Sequence, residues 1–391
     1  MSFGVLVVIV LAGLAGPLLG SSSRFFVPLM VGEILAGVLV GRTGLQSVNP
    51  ADPTVSFLAE VGFAMLMLTA GMAVPLRDPR LATSLRKGAG FAAAVAVLAA
   101  PAGLLCAALA SHGHAAVYAL VLASGSAAIL LPALQEAGAG GTEALATMAE
   151  VTIADVATIV LVPVVLQPGR VTHAALGAVL VAATVVALYA VGRTLEPHSW
   201  VHHLRHLSKQ RHWALDLRLS LLVLFFLVWV ARRSGTSILI AGFGAGLMVA
   251  AIGGPHRLST QVRGVAGGFF VPLYFVVLGA ELDHRGHYSE PSLNELAGAL
   301  EALNVANHVL GALISRRSVP SGLAACAQIG VPAAVATLGL AEGVLSSGVA
   351  TAVVLAALVS IGVSTAGVQL LVRSERDKVT TRSPVPVADG R

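Results

Sequence analysis

Thirteen stretches of this chain are apolar for about the length a helix needs to cross a bilayer, and nothing else constrains its fold as much. They fall near 3–20, 25–41, 55–75, 88–111, 114–137, 142–168, 172–192, 215–232, 236–253, 262–281, 295–315, 319–343 and 348–373. Inside hydrocarbon every backbone N–H and C=O has to be satisfied within the protein, so a chain that buries this many runs folds as a helix bundle. The expectation is an all-α membrane protein of about 13 transmembrane helices. Only 11% of the 391 residues are charged, against about 25% in soluble domains. The first run has no basic segment before it and reads as a retained span rather than a cleaved signal.

The lysines and arginines lie unevenly between the runs. If loops alternate between two sides, one side receives Arg24, Arg77, Arg80, Arg86, Lys87, Arg193, Arg205, Lys209, Arg211, Arg257, Arg263, Arg316, Arg317 and the tail from Arg373. The other receives Arg42, Arg170, Arg232, Arg233 and Arg285. By the positive-inside rule this places the N-terminus outside and the C-terminus in the cytoplasm of a cell (inner or plasma) membrane. The same rule accounts for the formal charge of +5, so no nucleic-acid partner is implied. Cys106 and Cys326 sit in apolar runs without a metal or redox motif, and no cofactor follows from them. The longest loop, Arg193 to Leu215, holds five histidines; it reads as a solvated connector, with metal or pH sensing as the alternative. The tail after Arg373 is short and polar and offers no room for a folded regulatory domain.

Asp155 lies near the middle of the run at 142–168. A carboxylate at bilayer depth costs roughly 2.5–3.5 kcal/mol even on lenient insertion scales, and such residues usually carry ions or protons. A carboxylate binds a proton or a bare cation, and the two compete for one charge. The alternative is a structural Asp paired with a helix or a water. Thr152 and Thr158 flank it by three residues, each roughly 60° away at about 100° per residue. Their hydroxyls either join its shell or bond their own helix carbonyls. Glu150, roughly 140° away, points elsewhere and is a second-site candidate only.

Two runs are interrupted. Ser124-Gly125-Ser126 and Pro132 break 114–137, and Gly330-Val331-Pro332 breaks 319–343. Broken helices at corresponding places in two halves point to a transporter site built from inverted repeats. Ser124 and Ser126 offer oxygen ligands to a hard monovalent cation. Gln328 either does the same or satisfies unwound backbone. Glu301, Asn304 and His308 share one face of the run at 295–315, since four- and seven-residue steps return to nearly one direction.

Four segments carry a family resemblance. Val31-Gly32-Glu33-Ile34-Leu35-Ala36-Gly37-Val38-Leu39-Val40-Gly41 resembles a "GEILAGILLG" helix. Phe57 to Leu76, with Glu60-Val61-Gly62 and Thr69-Ala70-Gly71-Met72, resembles "ELGVxLLLFxxGLxxD". Ile240-Ala241-Gly242-Phe243-Gly244-Ala245-Gly246 is similar to "GAFLAGL". Phe269 to Asp283 resembles "FFxPLFFVxxGxxxD". Together they resemble the monovalent cation/proton antiporter superfamily, in its branch of thirteen-helix sodium/proton antiporters and glutathione-gated potassium-efflux systems.

That resemblance implies a sodium/proton antiporter-like fold in which two broken helices, 114–137 and 319–343, cross beside the aspartate helix 142–168. It implies a transmembrane domain over 1–373: a dimer scaffold (3–75 and 215–281), an ion-transporting core (88–168 and 295–373) and a linker helix (172–192). Residues 374–391 follow as a tail. It also implies a homodimer in a lipid bilayer that exchanges sodium or potassium for protons. Asp155 matches the family's essential aspartate, but Ala154 stands where relatives carry Asp, Asn or Gln, which favours electroneutral exchange with one carboxylate. His308 stands where the family commonly has Lys or Arg. Histidine ordinarily titrates near neutrality, so His308 is the candidate for a pH response. The alternatives are a potassium-efflux protein whose regulatory domain lies elsewhere and a non-transporting membrane sensor. An enzyme is not expected, because Ser124-Gly125-Ser126 has no paired base and no zinc motif occurs.

Overall fold

The computed structural model describes residues 1–20, 29–42, 44–73, 79–109, 113–167, 169, 171–195, 197–211, 213–253, 256–282 and 291–381. Arg24, Arg77, Arg170, His212, Asp283, Arg285 and the tail from residue 382 lie outside the described residues. Among the described residues there is helix and no strand. The first half comprises α1 (Phe3–Gly13), α2 (Ala15–Gly20), α3 (Leu29–Val40), α4 (Pro53–Ala73), α5 (Pro79–Leu109), α6 (Ala115–Leu122), α7 (Ala127–Glu136), α8 (Thr142–Leu166) and α9 (Val171–Leu195). The second comprises α10 (Ser199–Gln210), α11 (Leu215–Arg233), α12 (Ile238–Ile252), α13 (His256–Val265), α14 (Val271–Glu281), α15 (Pro291–Ile314), α16 (Val319–Ala325), α17 (Gly330–Ala341) and α18 (Ser347–Thr381). One π-helical turn, Ala266–Phe270, joins α13 to α14.

Among the described residues the apolar runs are helical apart from their breaks, but three details of the sequence reading change. The interruption in 114–137 is Ser124–Ser126 alone; α7 continues through Pro132. The interruption in 319–343 lies upstream of Gly330-Val331-Pro332, at Cys326–Ile329, and those three residues form the first turn of α17. Proline fits there because the first turn of a helix has no intrahelical partner for its N–H groups. The connector at 193–215 is not irregular throughout, since it folds into the amphipathic α10. Among the described residues, eight stretches are long and apolar enough to cross a membrane, and Phe3–Leu19 and Ile238–Ile252 are shorter apolar helices.

Helix packing explains the glycine motifs. α3 crosses α14 where Gly37 and Gly279 meet backbone to backbone: a Cβ on Gly37 would strike the Val276 carbonyl, and one on Gly279 the Ile34 carbonyl. α4 crosses α12 in the same way at Gly71 and Gly246. Without a hydrophobic drive between helices in lipid, close backbone approach over small residues supplies the packing. α5 packs along α6, α8 and α15, while α15, α16 and α17 all pack on α18.

The start of α8 is tied down by charge. The Glu375 carboxylate of α18 accepts from the N–H groups of Gly141 (3.2 Å) and Ala144 (3.3 Å), capping the start of α8. Glu143, in that first turn, accepts from the Ser321 hydroxyl at 2.8 Å and lies 3.7 Å from Arg317, joining α8 to the start of α16. Arg232 on α11 pairs with Glu60 on α4.

Candidate functional site

The two helix breaks meet beside α8. Asp155 is 3% exposed, and its Oδ2 accepts a hydrogen bond from the N–H of Ala127, the first residue of α7, at 3.2 Å. A Cβ placed on Gly330, the first residue of α17, would lie 3.9 Å from Asp155 Oδ1. The carboxylate therefore stands between the N-termini of two half-helices. Each presents N–H groups that lack intrahelical partners and the positive end of its dipole. Gly125 lets the first break approach this closely, because a Cβ there would already reach the Val151 side chain of α8 at 3.0 Å.

The opposite ends of the breaks expose carbonyls, and side chains from α15, α18 and the second break itself take them. Gln328 Nε2 donates to the Ser124 carbonyl (3.2 Å) and the Val121 carbonyl (2.7 Å), and to Asn304 Oδ1 (2.7 Å). Asn304 Nδ2 donates to the Cys326 carbonyl at 3.0 Å and reaches Glu301 Oε2 at 3.4 Å. Asn307 Nδ2 donates to the Leu122 carbonyl at 2.8 Å and to Val95 at 3.2 Å. Ser364 Oγ donates to the Ala324 carbonyl at 2.6 Å, and Ser360 Oγ accepts the Gln328 N–H at 3.1 Å. A buried unpaired carbonyl is costly, so a crossing of two broken helices needs this set of donors.

The expected site residues thus divide. Asp155, Ser124, Ser126 and Gln328 come together at the crossing. Gln328 acts there by satisfying unwound backbone, one of its two expected roles. Ser124 Oγ donates to the Val121 carbonyl at 2.7 Å, within its own helix. Thr152 Oγ1 donates to the Met148 carbonyl at 2.8 Å, and Thr158 Oγ1 to the Ala154 carbonyl at 2.6 Å, so both hydroxyls bond their own helix. His308 is fully buried. Its Nδ1 lies 3.0 Å from the Asn304 carbonyl. Its Nε2 has no hydrogen-bond partner among the described residues. Among the described residues, the hydrogen-bond contact of His308 is with Asn304 at the crossing and not with Asp155. Glu150 is fully buried, and neither oxygen has a hydrogen-bond partner among the described residues. Sequence reasoning missed Asn307, Ser360 and Ser364. Their signal was polar residues at helical spacing inside apolar runs: Asn307 three after Asn304, and Ser364 four after Ser360.

Two cavities flank the site. An alanine-rich groove of about 770 Å³ runs between α5, α6 and α8, and Ala154 and Thr158 line it. A cleft of about 370 Å³ opens between α4, α14 and α17, lined by Glu60, Phe63, Tyr274, Glu281 and Thr337. The Tyr274 hydroxyl of α14 lies 3.0 Å from Thr337 Oγ1 and 3.4 Å from the Ala333 carbonyl, both on α17.

The chain is 25% identical over 270 residues to a Na+/H+ antiporter of Enterococcus hirae, covering 67% of this chain and 69% of that one. It is 25% identical over 295 residues to YjbQ of Bacillus subtilis, covering 71% of this chain and 47% of YjbQ. It is also 25% identical over 264 residues to the glutathione-regulated potassium-efflux protein KefC of Klebsiella pneumoniae, covering 65% of this chain and 41% of KefC. The chain thus spans about half or less of the length of YjbQ and KefC. The structure superposes on the sodium proton antiporter MjNhaP1 of Methanocaldococcus jannaschii with a TM-score of 0.65 at 16% identity, over 94% of this chain and 98% of that one, a likeness of fold. Residues 6–374 match the transmembrane sodium/hydrogen exchanger family, and the chain belongs to that family of membrane transporters.

Proposed function

We propose that this chain exchanges a monovalent cation, sodium or potassium, for protons across a membrane, with Asp155 carrying each in turn. One observation carries the reading: a single buried carboxylate stands between the N-termini of two half-helices at the crossing of two broken helices. The family membership supports it. Ala154 leaves one carboxylate at this step of α8, so each cycle moves one proton against one cation and is electroneutral. Ser124 and Thr152 complete the cation's oxygen shell with lone pairs that their own donations leave free, and Ser126 adds its hydroxyl oxygen.

In this reading the core (88–168 and 295–373) moves against a scaffold (3–75 and 215–281) that also forms a homodimer, with 172–192 as the linker. Thirteen spans place the N-terminus outside. His308, Asn304, Glu301, Gln328 and Glu150 couple the crossing to pH, His308 foremost. Replacing His308 with Lys and finding an unchanged pH profile would overturn that part.

The test is proton flux in sealed proteoliposomes under a pH gradient, with a lumenal pH dye. Sodium, potassium or lithium is added in turn, with and without a clamped potential, and Asp155→Asn runs in parallel. Cation-evoked proton movement that is lost in Asp155→Asn and indifferent to the clamp supports the reading. Movement that persists in Asp155→Asn overturns the role of Asp155, and none for any cation overturns the exchange. The similarity to KefC keeps potassium among the cations to be compared.

A further inference from the structure

The segment between α9 and α11 builds a surface helix whose position is set by its neighbours. α9 is a membrane-length helix ending at Leu195, and α11 starts at Leu215. A helix tethered by a few residues to the end of a membrane-length helix, and on its other side to the 19-residue α11, lies at the edge of the bilayer. Its attachment to α11 is built rather than loose. The Trp213 N–H donates to the Ser208 carbonyl at 3.1 Å, and Ser208 Oγ accepts the N–H of Leu215 at 3.1 Å. Ala214, at φ 51°, turns the chain from one helix into the other. Ser208 is buried, whereas Trp200 and Leu204 on α10 and Trp213 after it are 52%, 38% and 40% exposed.

The sequence of α10 divides into two faces. Trp200, Leu204 and Leu207 follow one another at four- and three-residue steps and form one apolar stripe. His202, Arg205, His206 and Lys209 occupy register positions on the opposite side. From Arg193 to Leu215 the chain has four Lys/Arg, five His and one Glu. A helix of this kind, with aromatic and aliphatic residues on one face and basic residues on the other, lies in the plane of a membrane interface. Its charge complements acidic headgroups, whose negative surface potential attracts basic segments beside spanning helices.

We infer that α10 is an interfacial helix that docks this protein on anionic phospholipid headgroups, with Trp200 and Leu204 seated at the acyl boundary. The inference needs the chain to lie in a membrane, and it does not depend on which ion is exchanged or on whether exchange occurs.

The test uses the full chain with Trp213→Phe and Trp229→Phe, so that Trp200 is its only tryptophan. The protein is reconstituted into phosphatidylcholine vesicles and into mixed phosphatidylcholine/phosphatidylglycerol vesicles. Trp200 emission is read with lipids brominated near the headgroup end of the acyl chain and, separately, with a water-soluble quencher. The expected result is blue-shifted emission and quenching by brominated lipid that is stronger in phosphatidylglycerol and weakened by salt. Arg205→Gln and Lys209→Gln should each cut the phosphatidylglycerol preference by about fivefold, the worth of one basic residue at an acidic surface. Equal lipid quenching in both vesicles would overturn the anionic preference. Quenching from water alone would overturn membrane docking and point to a protein partner or a free helix. Neither outcome depends on transport, so a failed exchange assay leaves this result readable.

Discussion

Gln328 holds the crossing from the inside: its amide nitrogen lies 2.7 Å from the Val121 carbonyl and 3.2 Å from that of Ser124, on the other broken helix. The Val121 carbonyl has further donors, namely the N–H and hydroxyl of Ser124. Gln328→Leu therefore strands the Ser124 carbonyl and Asn304 Oδ1. Each buried group left without a partner costs about 1–3 kcal/mol. The purified variant should unfold at a clearly lower temperature in detergent and lose exchange. A thermal midpoint equal to that of the parent would show that the bridge contributes nothing to the crossing.

Asp155 has a structural task besides the chemical one proposed for it, and the two can be separated. Asp155→Asn keeps an oxygen that can accept the Ala127 N–H, so its thermal midpoint should stay close to the parent's. Asp155→Leu removes that acceptor from the first turn of α7 and should destabilise by about 1–3 kcal/mol. Both variants should fail to exchange. Thermal unfolding of the pair, measured beside proton flux, tests this; an Asn variant as unstable as the Leu variant would contradict it.

Tyr274 links the two sides of the cleft at its Phe63 end. It replaces a Phe of the motif that its segment resembles, and the added hydroxyl reaches Thr337 and Ala333 on α17. A hydrogen bond of this kind contributes about 0.5–1.5 kcal/mol net. If α17 moves against α14 during transport, breaking this link slows the step. Tyr274→Phe should then raise the initial exchange rate by roughly twofold to tenfold, in keeping with that energy. An unchanged or lower rate would rule out a restraining role.

The start of α8 depends on a residue far away in the chain. Glu375 caps it through Gly141 and Ala144. Loss of a helix cap costs about 0.5–2 kcal/mol, so Glu375→Ala should lower the thermal midpoint while leaving exchange at room temperature largely intact. Loss of exchange without loss of stability would instead give Glu375 a direct part in transport.

The position of Asp155 in an apolar run, the glycine motifs of α3, α4, α12 and α14, and the existence of two broken helices were legible from the chain alone, but which helices those glycines bring together was not. All of these are local signals: hydropathy over a helix length, glycine at helical spacing, and a polar cluster inside an apolar run. The exact place of the second break was not legible. Gly330 and Pro332 signal the start of a helix as well as an interruption, and only the fold decided that α17 begins there.

The sequence by itself determined that this chain is a bundle of membrane helices, because each apolar run is decided within its own window by the cost of burying backbone and charge in lipid. The tertiary structure alone decided what the polar residues do. Ala127 and Asp155 are 28 residues apart, and Gln328 and Ser124 are 204 apart. Asn304 was legible only as part of a polar stripe with Glu301 and His308, Gln328 only as a polar residue with two alternative roles, and Asn307 not at all. They act as donors to stranded carbonyls because two helices happen to end against them, and which ends meet which side chains is set by packing across the whole bundle.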